Sequence, residues 1–258
     1  MELCKYTLQQ VIEKDVAVIG FYGAPSTEDL VAASKKFPLA PFWDLDRNFG
    51  VPQSGLVADD CCHVIRNCVN NAMALSNQLL CVIAAGRERC DASEYVRYTL
   101  SANLHVPVIP VAKQVPGAPE QPLLCESRGP LKDRVARIME AIVSPLSEQE
   151  RNKAFISNCV ATAGFWGTPP HLMSMLDLFP QTTHIFGWTR CVEQNAQGDM
   201  ALEMTVPENL PTVFFAQKGC PKAVLAKELA RKHNGLYVSS HAVITSDQMN
   251  KIKAFFKG

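Results

Sequence analysis

The run Val16-Ala17-Val18-Ile19 is apolar on both faces of any strand it forms, and it ends in Gly20-Phe21-Tyr22-Gly23-Ala24-Pro25. A strand with two apolar faces needs cover on both sides, as a strand inside a parallel sheet has. The glycines and the proline then mark the loop into which it spills. The same phrase returns later: Val160-Ala161 precedes Gly164-Phe165-Trp166-Gly167-Thr168-Pro169. A Phe-Pro pair follows each copy, Phe37-Pro38 and Phe179-Pro180. Matched positions of this kind point to an internal duplication. The competing reading is convergence, because any parallel α/β unit tends to place glycine after its first strand.

The rest of the chain alternates in the same sense. After "DVAVIGFYG" come a helical "STEDLVAASKKF" with Ser26 or Thr27 as N-cap, a short strand in "APFWDLD", and a helix in "DDCCHVIRNCVNNAMAL". The strand "QLLCVIAAG", the helix "DASEYVRYTLSAN", the strand "VPVIPVAK" and the amphipathic helix "GPLKDRVARIMEAIVSPL" complete the unit. Strands alternating with helices predict a parallel sheet with helices on both faces. The polar stretch 144–155 reads as a break, giving a first domain over 1–146 and a shorter one over 155–258. In the second, "HLMSMLDLF" predicts a helix, "THIFGW", "LPTVFFAQKG" and "LYVSS" strands, and "CPKAVLAKELARKHNG" and "TSDQMNKIKAFF" helices. A counterpart of the helix over 59–75 is missing from this copy, and polar sequence stands between Arg190 and Pro211 instead.

Length, charge and cysteine usage narrow the function classes. With 258 residues, 47% of them apolar, the chain can build two cores of about 130 residues each. Lys+Arg and Asp+Glu both number 25, so there is no electrostatic footprint for nucleic acid or an anionic membrane surface. Aromatic residues without basic interleaving argue the same way. No leader pattern opens the sequence, and no apolar run reaches the length of a membrane span, so a cytoplasmic protein is expected. Its ten cysteines then read as reduced, buried thiols. Cys61 and Cys62 are adjacent rather than C-x-x-C, so no metal site is expected. The glycines of "GFYG" form neither G-x-G-x-x-G nor a Walker A loop. The scattered histidines form no triad with a serine and a carboxylate.

In an open parallel sheet, ligands bind outside the carboxyl ends of the strands. The loops 20–26, 44–50, 84–94 and 113–119 are therefore the places to look. Over residues 13–143 the sequence resembles the TIR domain family (Toll and interleukin receptor). "DVAVIGFY" matches the opening strand, "WDLDRNFG" the acidic segment that follows the second strand, and "HVIRNCVNNAMALS" the next helix. "LLCVIAAG" and "RCDASEYVRYTLSANLHVPVIPV" match the later strand, the acidic helix start and the last strand. The resemblance implies two flavodoxin-like, TIR-like parallel-sheet units in tandem, the second degenerate.

For members that cleave NAD, the resemblance implies a catalytic glutamate at that helix start, which is Glu94 here. Phe21, Tyr22, Gly23, Trp43, Asp44 and Cys90 stand around it as substrate-binding candidates. Breaking the nicotinamide–ribose bond builds positive charge on the ribose, which a carboxylate stabilises. NAD is then a substrate, and no cofactor is implied. The competing reading of Glu94 is a first-turn carboxylate that meets the helix dipole. The resemblance also implies partners: self-association, or other TIR-like proteins. Arg87 and Arg89 read as phosphate contacts or as a solvated loop. The more apolar "GFYG" departs from catalytic members and favours a non-catalytic interaction scaffold. A nucleoside deoxyribosyltransferase-like enzyme, with a glutamate nucleophile at the ends of similar strands, is the remaining alternative. In the second copy Val224 falls nearest the place of Glu94, so that copy reads as a packing or partner-binding unit.

Overall fold

The computed structural model describes residues 1–57, 61–85, 91–111, 121–196, 199–240 and 243–257. Cys90, Arg87, Arg89 and the loop 113–119 lie outside the described residues. The chain divides into two compact units, Met1–Val115 with Ile142–Ser144, and Pro116–Ala141 with Pro145–Gly258.

In the first unit, α1 (Leu8–Glu13) precedes β1 (Val18–Tyr22), α2 (Thr27–Lys36), β2 (Phe42–Asp44), α3 (His63–Ala74), β3 (Leu79–Ala84), α4 (Asp91–Asn103) and β4 (Val108–Pro110). The strands form one all-parallel sheet in the order β2-β1-β3-β4. Alternate residues of β1 serve opposite faces, as the strand period requires. Ile19 and Phe21 join Phe42, Cys81 and Ile83 beneath Leu30 and Ala33 of α2. Val143, fully buried, completes that cluster. Helices α3 and α4 pack against each other. Ser26 caps α2 as expected: its hydroxyl accepts from the Asp29 amide at 3.0 Å, and the Asp29 carboxylate accepts from the Ser26 amide at 3.2 Å. The edge of β2 is covered by residues 2–4, which exchange backbone hydrogen bonds with Phe42.

The second unit contains α5 (Leu131–Glu140), α6 (Glu148–Ile156), β5 (Ala163–Gly167), a 3₁₀ helix (Met173–Leu178), β6 (Thr183–Phe186), α7 (Trp188–Glu193), α8 (Met200–Met204), β7 (Thr212–Gln217), α9 (Lys222–Lys232), β8 (Leu236–Ser240) and α10 (Ser246–Phe255). Its sheet is also all-parallel, in the order β6-β5-β7-β8, the same pattern as the first. The fold is therefore α/β, with two flavodoxin-like parallel-sheet units in tandem. Trp166, Phe186 and Phe214 pack beneath Ala226, Leu229 and Ala230 of α9. Phe165 lies on the opposite face, edge-on to Phe179 and stacked on Phe215, with Phe256 against Phe179.

The repeated motif has a common physical basis. Gly20 pairs with Val82 in β3, and Gly164 with Thr212 in β7. A Cβ on Gly23 would lie 2.0 Å from the Ala85 carbonyl oxygen, and one on Gly167 would lie 2.3 Å from that of Phe215. Both glycines have positive φ, +73° and +145°. The first aromatic residue of each copy, Phe21 or Phe165, enters the core on one face. The second turns to the other face and spends its polar tip on a backbone carbonyl: Tyr22 Oη donates to Ser93 at 3.0 Å, and Trp166 Nε1 to Glu203 at 2.7 Å.

Four features differ from the sequence reading. The helix over 131–142 was expected to close the first unit, with the boundary after 146. Instead α5 packs on α7 and the 3₁₀ helix of the second unit, and only Ile142–Ser144 return to the first core. Its amphipathic pattern specifies a buried stripe, through Leu131, Val135 and Ile138, but not the surface that buries it. The polar stretch expected to break the chain forms α6, because Ser147 and Glu150 make a reciprocal capping box. The short helices α7 and α8 fill the stretch where no helix was expected, and "HLMSMLDLF" is a 3₁₀ rather than an α-helix.

The α6 cap gives a pH prediction. The Arg137 guanidinium and the Ser147 amide and hydroxyl hold the Glu150 carboxyl at about 2. A depressed value means stability that is present above the unfolded glutamate range and lost as pH falls towards 2. Glu150 is 43% exposed, so solvent screening limits the effect to less than about 1 kcal/mol. Thermal melts between pH 5 and about 2 should show a smaller acid-side loss for Glu150→Gln than for the parent chain. Identical slopes would refute the assignment.

Candidate functional site

The order β2-β1-β3-β4 reverses direction between β1 and β3, so the crevice beyond their carboxyl ends is the topological switch point. Tyr22 and Gly23 end β1 there, and Ala84 and Ala85 end β3. The Ala85 amide donates to the Tyr22 carbonyl at 3.2 Å, which keeps the two chains together past the sheet. The bond from Tyr22 Oη to Ser93 brings the first turn of α4 over the end of β1. Glu94 is the next residue. Its carboxylate accepts from Arg97 Nε at 2.8 Å and Nη2 at 2.5 Å, one helical turn away. The Glu94 side chain is 40% exposed, so solvent reaches it. Tyr22 is buried, and burial pushes its phenol up, helped by the charges of Asp46 and Glu94.

The loop after β2 forms the adjoining wall. Asp46 Oδ2 accepts from the Gly23 amide at 2.7 Å. Asp44 accepts from the Asp46 amide and from Arg47 Nε, both at 3.0 Å. Burial raises both carboxyls, and the neighbouring Asp44 charge raises Asp46 further, while Arg47 offsets the shift at Asp44. Three asparagines of α3 hold this loop. Asn67 Nδ2 donates to the Asp46 carbonyl at 3.0 Å and lies 3.2 Å from His63 Nδ1. Asn71 Nδ2 donates to the carbonyls of Leu45 and Arg47, and Asn70 accepts from Ser54.

The expected site residues therefore separate. Glu94, Tyr22 and Gly23 meet at the switch point, and Asp44 stands in the wall beside them. Phe21 does not belong with them: it is a core residue, edge-on to Phe42 with ring centroids 6.4 Å apart. Strand alternation already places neighbouring Phe21 and Tyr22 on opposite faces. Trp43 is buried against Phe49 at 4.8 Å, and its Nε1 has no hydrogen-bond partner among the described residues. Tyr22 is an anchor rather than an open platform. Cys90 lies outside the described residues. Asp46, Arg97 and the asparagines of α3 are additions to the expected set. The i, i+3, i+4 spacing of Asn67, Asn70 and Asn71 is a polar stripe on a mostly buried helix, and it marks them in the sequence.

Among the described residues no three His, Cys, Asp or Glu side chains are placed to hold a metal ion, and no helix is long and apolar enough to cross a membrane. Cys4, Cys68, Cys81, Cys125 and Cys159 are thiols. Burial pushes the Cys68 thiol well up, so it is not a poised nucleophile.

The second unit arranges the equivalent end differently. Pairing in β3 and β7 equates Val82 with Thr212, which puts Val224 in the place of Glu94, exposed on α9. Its acid comes from α8 instead: Glu203 is fully buried and takes Lys222 Nζ at 2.5 Å.

No protein-family model matches the chain, and no curated protein is matched by it. The TIR resemblance is carried by the residues of this chain alone.

Proposed function

We propose that the first unit is a TIR-like NAD glycohydrolase in which Glu94 is the catalytic carboxylate. The observation that carries this reading is the place of Glu94: solvent-reachable, in the first turn of α4, at the switch point and beside Tyr22. The C1′–N bond of NAD breaks with its electron pair going to the nicotinamide nitrogen, which becomes neutral. No general acid is needed for that departure. Charge develops on the ribose ring, and a carboxylate within reach stabilises it. Water then adds to C1′ and loses a proton, giving ADP-ribose. Arg97 fixes the direction of the carboxylate until substrate arrives. The expected setting is cytoplasmic.

The test is nicotinamide release from NAD by the purified chain. Glu94→Gln keeps size and hydrogen bonding but removes the charge, and kcat should fall about a hundredfold. Activity that survives the substitution would reject Glu94 as the catalytic group.

A second reading is an assembly module that cleaves nothing. Tyr95 and Tyr98 favour it, because both project from α4 with 70% and 71% exposure, one turn apart. Self-association or a TIR-like partner would cover them. A concentration-dependent oligomer lost in Tyr95→Ser/Tyr98→Ser, together with silence towards NAD, would establish this reading in place of the first.

A further inference from the structure

Asp46 is tied on every side. Its amide donates to Asp44, its carbonyl accepts from Asn67, and its carboxyl accepts from Gly23. Gly23 in turn has no freedom, pressed against the Ala85 carbonyl at positive φ. The residue before it, Tyr22, holds Ser93, and Ser93 precedes Glu94. A continuous line of contacts therefore runs from the β2 loop, across the end of β1, to the first turn of α4.

We propose that Asp46 is a positioning residue of this crevice, acting through the Gly23 amide on the loop that leaves β1 and, through Tyr22, on the turn that carries Glu94. The inference rests on the NAD-cleaving reading for its catalytic consequence, but not for its structural one. A carboxyl is a costly choice at this position. Asp44 lies two residues away with its own charge, and both are withdrawn from water. An asparagine would accept the same hydrogen bond from Gly23 without that repulsion. Groups that cost stability beside a crevice are candidates for function.

The ionisable groups around Asp46 are Asp44 and Arg47 on its own loop, Tyr22 on β1, Cys62 just before α3, and His63 and Cys68 on α3. Glu94 and Arg97 of α4 flank Tyr22. Arg47 is engaged with Asp44, so the nearest charge that Asp46 feels is a like one. Ionisation of Asp46 then sets two buried carboxylates against each other, a strain that the stronger hydrogen bond from Gly23 to the ionised oxygen offsets only in part. A raised folded value means stability that is complete below the ordinary aspartate range and is lost as pH rises through the raised value.

The experiment compares the parent chain with Asp46→Asn and Asp46→Ala, read by amide hydrogen exchange and by nicotinamide release against pH. Asp46→Asn should melt no lower than the parent at pH 8, and the alkaline fall of kcat in the parent should flatten. Asp46→Ala should reduce kcat about tenfold with KM unchanged, and should speed exchange both at 22–24 and in the first turn of α4. Faster exchange confined to 22–24 would reduce Asp46 to a local loop contact and overturn the proposal. So would a pH profile of Asp46→Asn that matches the parent in an active enzyme. If the parent releases no nicotinamide, the NAD reading falls alone. Exchange at α4 then decides: faster in Asp46→Ala upholds the positioning role, and unchanged rejects it.

Discussion

Gly23→Ala is expected to unfold the first unit, and Gly167→Ala the second, each in an otherwise unaltered chain. Positive φ alone costs an alanine about 1–2 kcal/mol at Gly23, and the more extreme φ of Gly167 costs about 1–3 kcal/mol. The added Cβ also meets backbone rather than a yielding side chain, at 2.0 Å from the Ala85 oxygen and 2.3 Å from the Phe215 oxygen. Relief requires the first strand of the sheet to move away from the third. In the first unit that movement breaks the bond from the Ala85 amide to Tyr22. Overpacking of this kind adds about 1–3 kcal/mol, for a total near 4 kcal/mol in either unit. Gly20→Ala makes a useful comparison, because its closest neighbour is the Leu79 side chain, which can turn aside. Guanidinium unfolding followed by circular dichroism should show one of two transitions collapse for each severe variant and a mild shift for Gly20→Ala. A Gly23→Ala chain that unfolds like the parent would remove the close-approach account of the repeated motif.

Arg134→Met should be the most damaging substitution of a charged residue in the second unit. Arg134 is 5% exposed and donates to three carbonyls: Gly129 at 3.2 Å, Leu124 at 3.0 Å and Thr183 at 2.6 Å. Two of these belong to the segment 121–130 and the third to β6. Burial pulls the guanidinium down from its ordinary value without neutralising it. The same segment is caught from the other side by Glu193, whose carboxylate accepts from the amides of Leu123, Leu124 and Cys125. The Ile185 amide donates to Cys125, so the segment covers the open edge of β6. Methionine fills most of the volume but leaves the carbonyls without donors, at a cost of about 3–5 kcal/mol. Lysine restores the charge but not the fork and should recover only part. Hydrogen exchange should show amides 123–125 and 185 losing protection together in Arg134→Met. A loss below about 1 kcal/mol would mean that water replaces the guanidinium freely.

The alternation of apolar runs and amphipathic stretches is legible because each strand is buried on both faces and each long helix on one. The duplication is legible for a sharper reason: Gly23 and Gly167 cannot be replaced, so the motif persists while the helices around it differ. Polar features were harder to read. Ser147 and Glu150 look like a linker until their capping box is recognised, and Thr7 with Gln10 caps α1 in the same way. The membership of α5 could not be read, because a hydrophobic stripe carries no address for its partner. At the site, the loop with Gly23 follows from the order of elements, and Glu94 from the resemblance to TIR domains. Asp46 follows only from a hydrogen bond made across 23 residues, a relation that no local pattern encodes.

The path of the chain also sets a timetable for its synthesis. The first core is incomplete until Val143 has emerged, since that side chain is part of it. By then the segment 121–130 and α5 have already left the ribosome, yet β6, which they cover, is not made until Thr183–Phe186. The nascent protein therefore carries Leu131, Val135 and Ile138 without their eventual cover while the first sheet is closing. A chain released after residue 146 would hold a finished sheet and a sticky helix with nowhere to go. That makes the interval between the two units the point at which a nascent-chain chaperone has most to do.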